Sequence, residues 1–139
     1  MKIIFIGDIV GRSGRNAVSQ KINILKEKFM PDIIIANAEN AASGYGLTKK
    51  IASELFLAGV DIITLGNHAW DQREMLSHIE ECPKIIRAIN FPKGVPGKGF
   101  YKLTLEDGRS LLVIQVLLRL FMGMSLDDPF SAIEKNLKN

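Results

Sequence analysis

Along residues 1–90, short apolar runs alternate with stretches of helical period. Residues 2–6 are mostly β-branched or aromatic and end at Gly7, which predicts a buried strand. Over residues 15–29, Val18, Ile22, Leu25 and Phe29 recur at helical spacing, while Lys21, Lys26 and Lys28 fall on other faces. Met30-Pro31 ends that helix. Residues 32–36 form a second apolar run. Thr48 is placed to cap a helix through Ala58, with Ile51 and Leu55 inward and Gly59 as its stop. Residues 61–65 predict a third strand. Asp71 is read as the cap of a helix carrying Met75 and Ile79 that ends near Cys82-Pro83, and residues 84–89 as a fourth strand.

The order βαβαβαβ predicts an α/β fold with parallel strands and right-handed helical crossovers. A glycine- and proline-rich loop follows at residues 91–99. Residues 100–105 and 110–118 then flank Asp107-Gly108, a strong hairpin signal. Asp128-Pro129 supplies a cap and a first-turn proline for a final helix over residues 130–137. No repeat, linker or low-complexity segment interrupts the chain, so residues 1–139 are expected to form one domain.

Composition excludes several classes. Of 139 residues, 47% are hydrophobic and 24% charged, enough apolar surface for a core and against disorder. The net charge of +3 is too small to indicate DNA binding. A single cysteine, Cys82, excludes an internal disulfide and suits a reducing compartment. Cys82 lies beside Pro83 with no histidine partner in view, so a thiol nucleophile has no support. The apolar stretch 111–124 is broken by Gln115 and Arg119 and falls short of the ~20 residues of a membrane span. Asp8 and Arg12 stop the apolar N-terminus before a secretory signal would be complete. A cytoplasmic location without membrane contact is expected.

In open α/β sheets, ligands bind beyond the carboxyl ends of the strands. The first strand is followed by Gly7-Asp8, the second by Asn37-Ala38-Glu39-Asn40, the third by Gly66-Asn67-His68 and the fourth by Asn90. Each group alone has an ordinary explanation as a cap, a turn residue or a loop polar group. Four in succession on one rim are harder to assign to coincidence. Carboxylates brought together repel unless a cation lies between them, and this mix of donors suits Mn or Fe better than Mg or Zn. Gly7, Gly11 and Gly14 do not have the spacing of a dinucleotide loop, and Asp8 would repel a pyrophosphate there.

Phe5-Ile6-Gly7-Asp8-Ile9-Val10-Gly11 resembles the opening of a calcineurin-like metallophosphoesterase. The blocks Asn37-Ala38-Glu39-Asn40-Ala41-Ala42, Gly46-Leu47-Thr48, Gly66-Asn67-His68-Ala69-Trp70-Asp71, Asn90-Phe91-Pro92, Pro96-Gly97-Lys98-Gly99 and Leu126-Asp127-Asp128-Pro129-Phe130 resemble the YmdB-like family, in its order. The resemblance covers essentially the whole chain and the N-terminal half of the family domain. It implies two metal ions, iron first with manganese as alternative, and hydrolysis of small phosphodiesters such as 2′,3′-cyclic nucleotides. It further implies that Asp8 and Asn40 bind the first metal, Glu39 bridges both, Asn67 binds the second, and His68 gives a proton to the leaving oxygen. Arg12 and Arg15 would add phosphate attraction or serve as solvated surface charge.

The family pattern continues with a further histidine ligand and a Gly-x-His-x-His block. This sequence has two histidines, and His78, mid-helix, matches no ligand position. Three expectations follow: a half-site with little activity alone; a site completed by a homo-oligomer or a complementary C-terminal half; or a non-catalytic scaffold that keeps the fold. The stretch 111–118 is expected to lie at an exposed, association-prone edge.

Overall fold

In a computed structural model, residues 1–137 are described. Strands β1 (Ile3–Ile6), β2 (Ile33–Asn37), β3 (Ile62–Thr64) and β4 (Ile85–Ile86) form a parallel sheet in the order β1-β2-β3-β4. Helices α1 (Gly11–Phe29), α2 (Lys49–Ala58) and α3 (Met75–Glu81) are the three crossovers. Strands β5 (Phe100–Thr104) and β6 (Ser110–Ile114) make an antiparallel hairpin, and α4 (Pro129–Leu137) follows. The α/β architecture expected from the sequence is observed.

Side-chain alternation along each strand separates two cores. Ile34, Ala36, Ile63 and Ile85 face the helices and pack with Val18, Ile22, Ile51, Leu55, Met75 and Ile79. Ile33, Ile35, Ile62 and Ile86 face the other way, against Tyr101, Leu103, Leu111 and Val113 of the hairpin. The sheet is thus the middle of three layers. Burying one such aliphatic side chain stabilises by about 1.5–3 kcal/mol.

Local chemistry sets the helix ends. The Thr48 hydroxyl accepts the Ile51 amide at 3.1 Å, and Gly59 closes α2 at φ 111°, both as expected. Asp128 Oδ1 accepts the Ser131 amide at 2.8 Å to start α4. Helix α1 begins at Gly11, earlier than its apolar period suggested, and Phe29 at its end is exposed rather than packed. Asp71 is not the cap of α3, which starts at Met75 after Glu74.

Three strands also differ from expectation. β1 lies at the sheet edge, so Ile3 and Phe5 are 44% and 60% exposed instead of buried. Its run of β-branched residues reports strand propensity, not the number of neighbours. β4 is cut to Ile85–Ile86, because the chain turns away to pair Arg87 with Lys98 and Ile89 with Gln115. β6 ends at Ile114. Leu111 and Val113 are packed inward, Leu117 is buried and Leu118 is exposed, so stretch 111–118 is not a continuous open edge.

Arg87 staples the glycine-proline loop to the end of β4. Its guanidinium donates to the carbonyls of Pro96, Ala88 and Val95 at 2.8–3.0 Å and lies near the Phe91 ring. Burial lowers its pKa from the usual arginine range. At the opposite end of the sheet, Arg109 of the hairpin turn bridges Asp107 and Asp32. Among the described residues, no helix is long and apolar enough to cross a membrane.

Asn90 was expected on the ligand rim. It is instead fully buried, donating through Nδ2 to the carbonyls of Leu117 and Asp127 and accepting the Leu117 amide on Oδ1. It joins three loops that have no ladder of their own. Asn90→Ala leaves these backbone groups unpaired and is expected to cost roughly 2–4 kcal/mol in urea unfolding. Asn90→Asp is expected to cost at least as much, because an ionised carboxylate cannot donate.

Candidate metal centre

Parallel pairing brings the ends of β1, β2 and β3 to the same edge. The loops beyond them are tied by backbone bonds: Ile9 N–H donates to the Asn37 carbonyl, Gly11 N–H to that of Asn40, and Ala38 N–H to that of Thr64, at 3.0–3.1 Å. Arg15 Nη1 donates to the Ala41 carbonyl and so clamps the second loop to α1. That gives Arg15 a structural partner, while Arg12 stays exposed.

Asp8 and Asn40 meet on this rim, with Asn40 Nδ2 donating to Asp8 Oδ1 at 2.7 Å. Asp8 is held at φ 29°, in the left-handed region that disfavours a residue with a Cβ. Such a backbone costs about 1–3 kcal/mol and persists only when its surroundings enforce it.

Glu39 reaches across to the third loop. Its Oε2 accepts the His68 amide at 3.3 Å, and Asn37 Nδ2 lies 3.5 Å from its Oε1. The carboxylate rests against the α-carbon of Gly66, in the space a Cβ there would fill. Gly66 is therefore required for room. Its φ lies outside the left-handed region, so the turn chemistry that Gly-Asn suggested is not its reason. Asn67 follows, half-buried, and its side chain makes no hydrogen bond among the described residues.

His68 is about one-third exposed, and its Nδ1 lies 2.6 Å from Asp71 Oδ2. The His-x-x-Asp spacing is visible in the sequence, but the pairing shows only in the fold, where the helix cap expected at Asp71 does not form. With Nδ1 engaged by a carboxylate, Nε2 is the nitrogen left for other chemistry. The Tyr45 ring and the imidazole are perpendicular, 6.0 Å between centroids and 86° between planes.

The structure thus joins Asp8 with Asn40 and Glu39 with His68, and sets Asn67 beside them in the chain. His78 lies apart on α3, where its Nδ1 is 3.5 Å from Glu81, whose carboxylate also meets Lys49 of α2. Among the described residues, no three His, Cys, Asp or Glu side chains gather closely enough to hold a metal on their own. The carboxamides of Asn40 and Asn67 add further oxygen donors to the rim.

Comparison with known proteins places these features in context. The pattern of the family described as YmdB-like protein matches residues 4–139. A 2′,3′-cyclic-nucleotide 2′-phosphodiesterase of Bacillus subtilis (strain 168) is 46% identical over 130 residues, 94% of this chain and 48% of that protein. A crystal structure of a hypothetical protein from Thermus thermophilus superposes with a TM-score of 0.91 at 42% identity, covering 100% of this chain and 53% of that one. A crystal structure of a novel phosphatase of Mycoplasma pneumoniae gives 0.91 at 30% identity, covering 100% and 51%. The chain spans about half the length of the curated relatives it matches.

Two substitutions probe the local strain and packing. Asp8→Gly and Asp8→Ala both remove the carboxylate, but only glycine relaxes the left-handed backbone. Asp8→Gly is expected to be the more stable by about 1 kcal/mol in thermal unfolding. Gly66→Ala is expected to keep the fold while displacing the Glu39 carboxylate. An upfield move of the His68 amide proton would report the lost hydrogen bond, and an unchanged resonance would show that Glu39 had stayed in place.

Proposed function

The chain belongs to the YmdB-like family, and from that premise we propose that its rim is one part of a dinuclear metal centre that hydrolyses phosphodiesters. The observation that carries this is the convergence of Asp8 with Asn40, and of Glu39 with His68, at one edge of the parallel sheet. Asp8 and Asn40 would hold one ion and Asn67 the other, with the Glu39 carboxylate within reach of both as a ligand. Iron is the proposed metal, with manganese as the alternative.

The donors suit such ions. Carboxylate and carboxamide oxygens are hard ligands. Asn40 turns its amide nitrogen to Asp8, which leaves its carbonyl oxygen for a cation. The bonds that Glu39 accepts from His68 and Asn37 are long, 3.3 and 3.5 Å, so its lone pairs are only weakly engaged. Bound ions would supply Lewis-acid stabilisation of the charge that builds on the phosphoryl oxygens. The two carboxylates offset only part of the charge of two such ions. We therefore propose that further ligands come from another segment or polypeptide, corresponding to the part of the relatives that this chain does not match.

His68 serves as the proton donor. Asp71 would accept a hydrogen bond from Nδ1–H and orient the ring, which leaves Nε2–H to give its proton to the leaving oxygen. Water adds its oxygen to phosphorus and loses a proton to solvent, the P–O bond to the leaving oxygen breaks, and Nε2 gives its proton to that oxygen and regains one from solvent. With a 2′,3′-cyclic nucleotide as substrate, the ring opens to a phosphomonoester. Proton donation of this kind contributes roughly 10²–10⁴ in rate.

Hydrolysis of 2′,3′-cyclic AMP and bound Fe and Mn can be measured for this chain alone and mixed with the unmatched half of the Bacillus relative. The expected result is metal uptake and turnover in the mixture, abolished by Asp8→Ala and reduced roughly 10²–10⁴-fold by His68→Ala. Turnover indifferent to both substitutions would overturn these assignments. Neither metal nor turnover under either condition would favour a scaffold that keeps the fold without the chemistry.

A further inference from the structure

Tyr45 is an aromatic ring that the core does not use. It is 64% exposed, although a tyrosine could bury a large area elsewhere. The loop beneath it is closed tightly. Gly46 N–H donates to the Glu39 carbonyl at 2.7 Å, Ala42 N–H to Gly46 at 2.9 Å, and Tyr45 N–H to Ala42 at 3.1 Å. From the other side, Gln72 Nε2 donates to the Tyr45 carbonyl at 2.6 Å.

The geometry leaves little slack. Ser43, Gly44 and Gly46 take φ values of 58°, 90° and 80°, and a Cβ on Gly46 would crowd the His68 carbonyl at 3.0 Å and Gln72 at 3.1 Å. The backbone carrying the ring is thus pinned to the Glu39 loop and to the His68 loop together. The Tyr45 ring stands perpendicular to that of His68, 6.0 Å between centroids, on a backbone held by these bonds.

We propose that Tyr45 is a stacking platform for the base of a nucleoside phosphodiester, so that it sets a preference for nucleotides over phosphodiesters without a ring. Stacking at Tyr45 presupposes the phosphodiesterase role of the same rim. In a nucleoside 2′,3′-cyclic phosphate, the base hangs one ribose away from the phosphorus. When the leaving oxygen is at His68, the base falls within reach of a ring placed beside that imidazole. Every base has a π-face, so the platform favours nucleotides as a class and discriminates little among bases. A preformed platform also reduces the ordering cost of binding.

The test is a pair of calorimetric titrations of this chain in Mn²⁺-free and Mn²⁺-containing buffer, one with 2′,3′-cyclic AMP and one with dimethyl phosphate. The proteins are wild type, Tyr45→Leu and Tyr45→Trp; the position is exposed, so all three should fold. The expected result is that Leu weakens cyclic AMP binding roughly 5- to 150-fold and leaves dimethyl phosphate unchanged, while Trp binds cyclic AMP at least as well as wild type. Unchanged cyclic AMP binding by the Leu variant overturns the platform alone. Equal weakening of both ligands also overturns it, since that marks a structural role for the loop. Failure of wild type to bind either ligand in either buffer, both alone and mixed with the unmatched half of the Bacillus relative, overturns the phosphodiester role of the rim, and the platform with it.

Discussion

The rim depends on the parallel pairing of β2 with β1 on one side and β3 on the other. The registers Phe5 with Ile35 and Ile35 with Ile62 put the three strand ends at one level. Strands that run the same way need a crossover between each pair, and the sequential order β1-β2-β3-β4 places all three helices on one face. The other face stays open for the hairpin. Asp8, Glu39 and His68 are far apart in sequence, yet each begins the loop at the same edge. A hairpin topology would have sent alternate loops to opposite ends.

On that frame the site is assembled by close approach. Glu39 lies against Gly66 because glycine has no Cβ, and the Glu39 carboxylate then meets the His68 amide. Asp8 adopts a left-handed backbone that a free chain would avoid, and its surroundings hold it there through the Ile9 and Gly11 amides on the second loop. The cost of the unfavourable backbone is offset by packing elsewhere, in the two cores on either face of the sheet. Rigidity at the rim and an apolar middle layer are therefore parts of one arrangement.

Legibility in the sequence followed the range of the forces involved. Element types, the Thr48 and Gly59 caps and the hairpin at Asp107-Gly108 depend on neighbours within a few residues, and they were readable. Asn90 looked like one more polar group at a strand end, but its partners, Leu117 and Asp127, lie 27 and 37 residues away. Asp71 had two local uses open to it, helix cap and histidine partner, and the turn at residues 67–70 decided for the second. The exposure of Ile3 and Phe5 could not be read from their side chains, because strand propensity does not say which strand is outermost.

By itself the sequence determined the alternation of strand and helix and the parallel sheet, and it set Asp8, Glu39, Asn40, Asn67 and His68, with Asn90 beside them, after strand ends at one edge; only the resemblance to the YmdB-like family singled out the first five. These rest on periodicity, on short-range caps and on the rule that parallel strands end together. Tertiary structure alone decided that Asn90 leaves the rim for the core, that Asp71 holds the His68 ring, that Gly66 is a space for Glu39, and that Tyr45 is fixed beside the imidazole. Each is a contact between segments whose distance is set by packing, and no local pattern in the chain encodes such a distance.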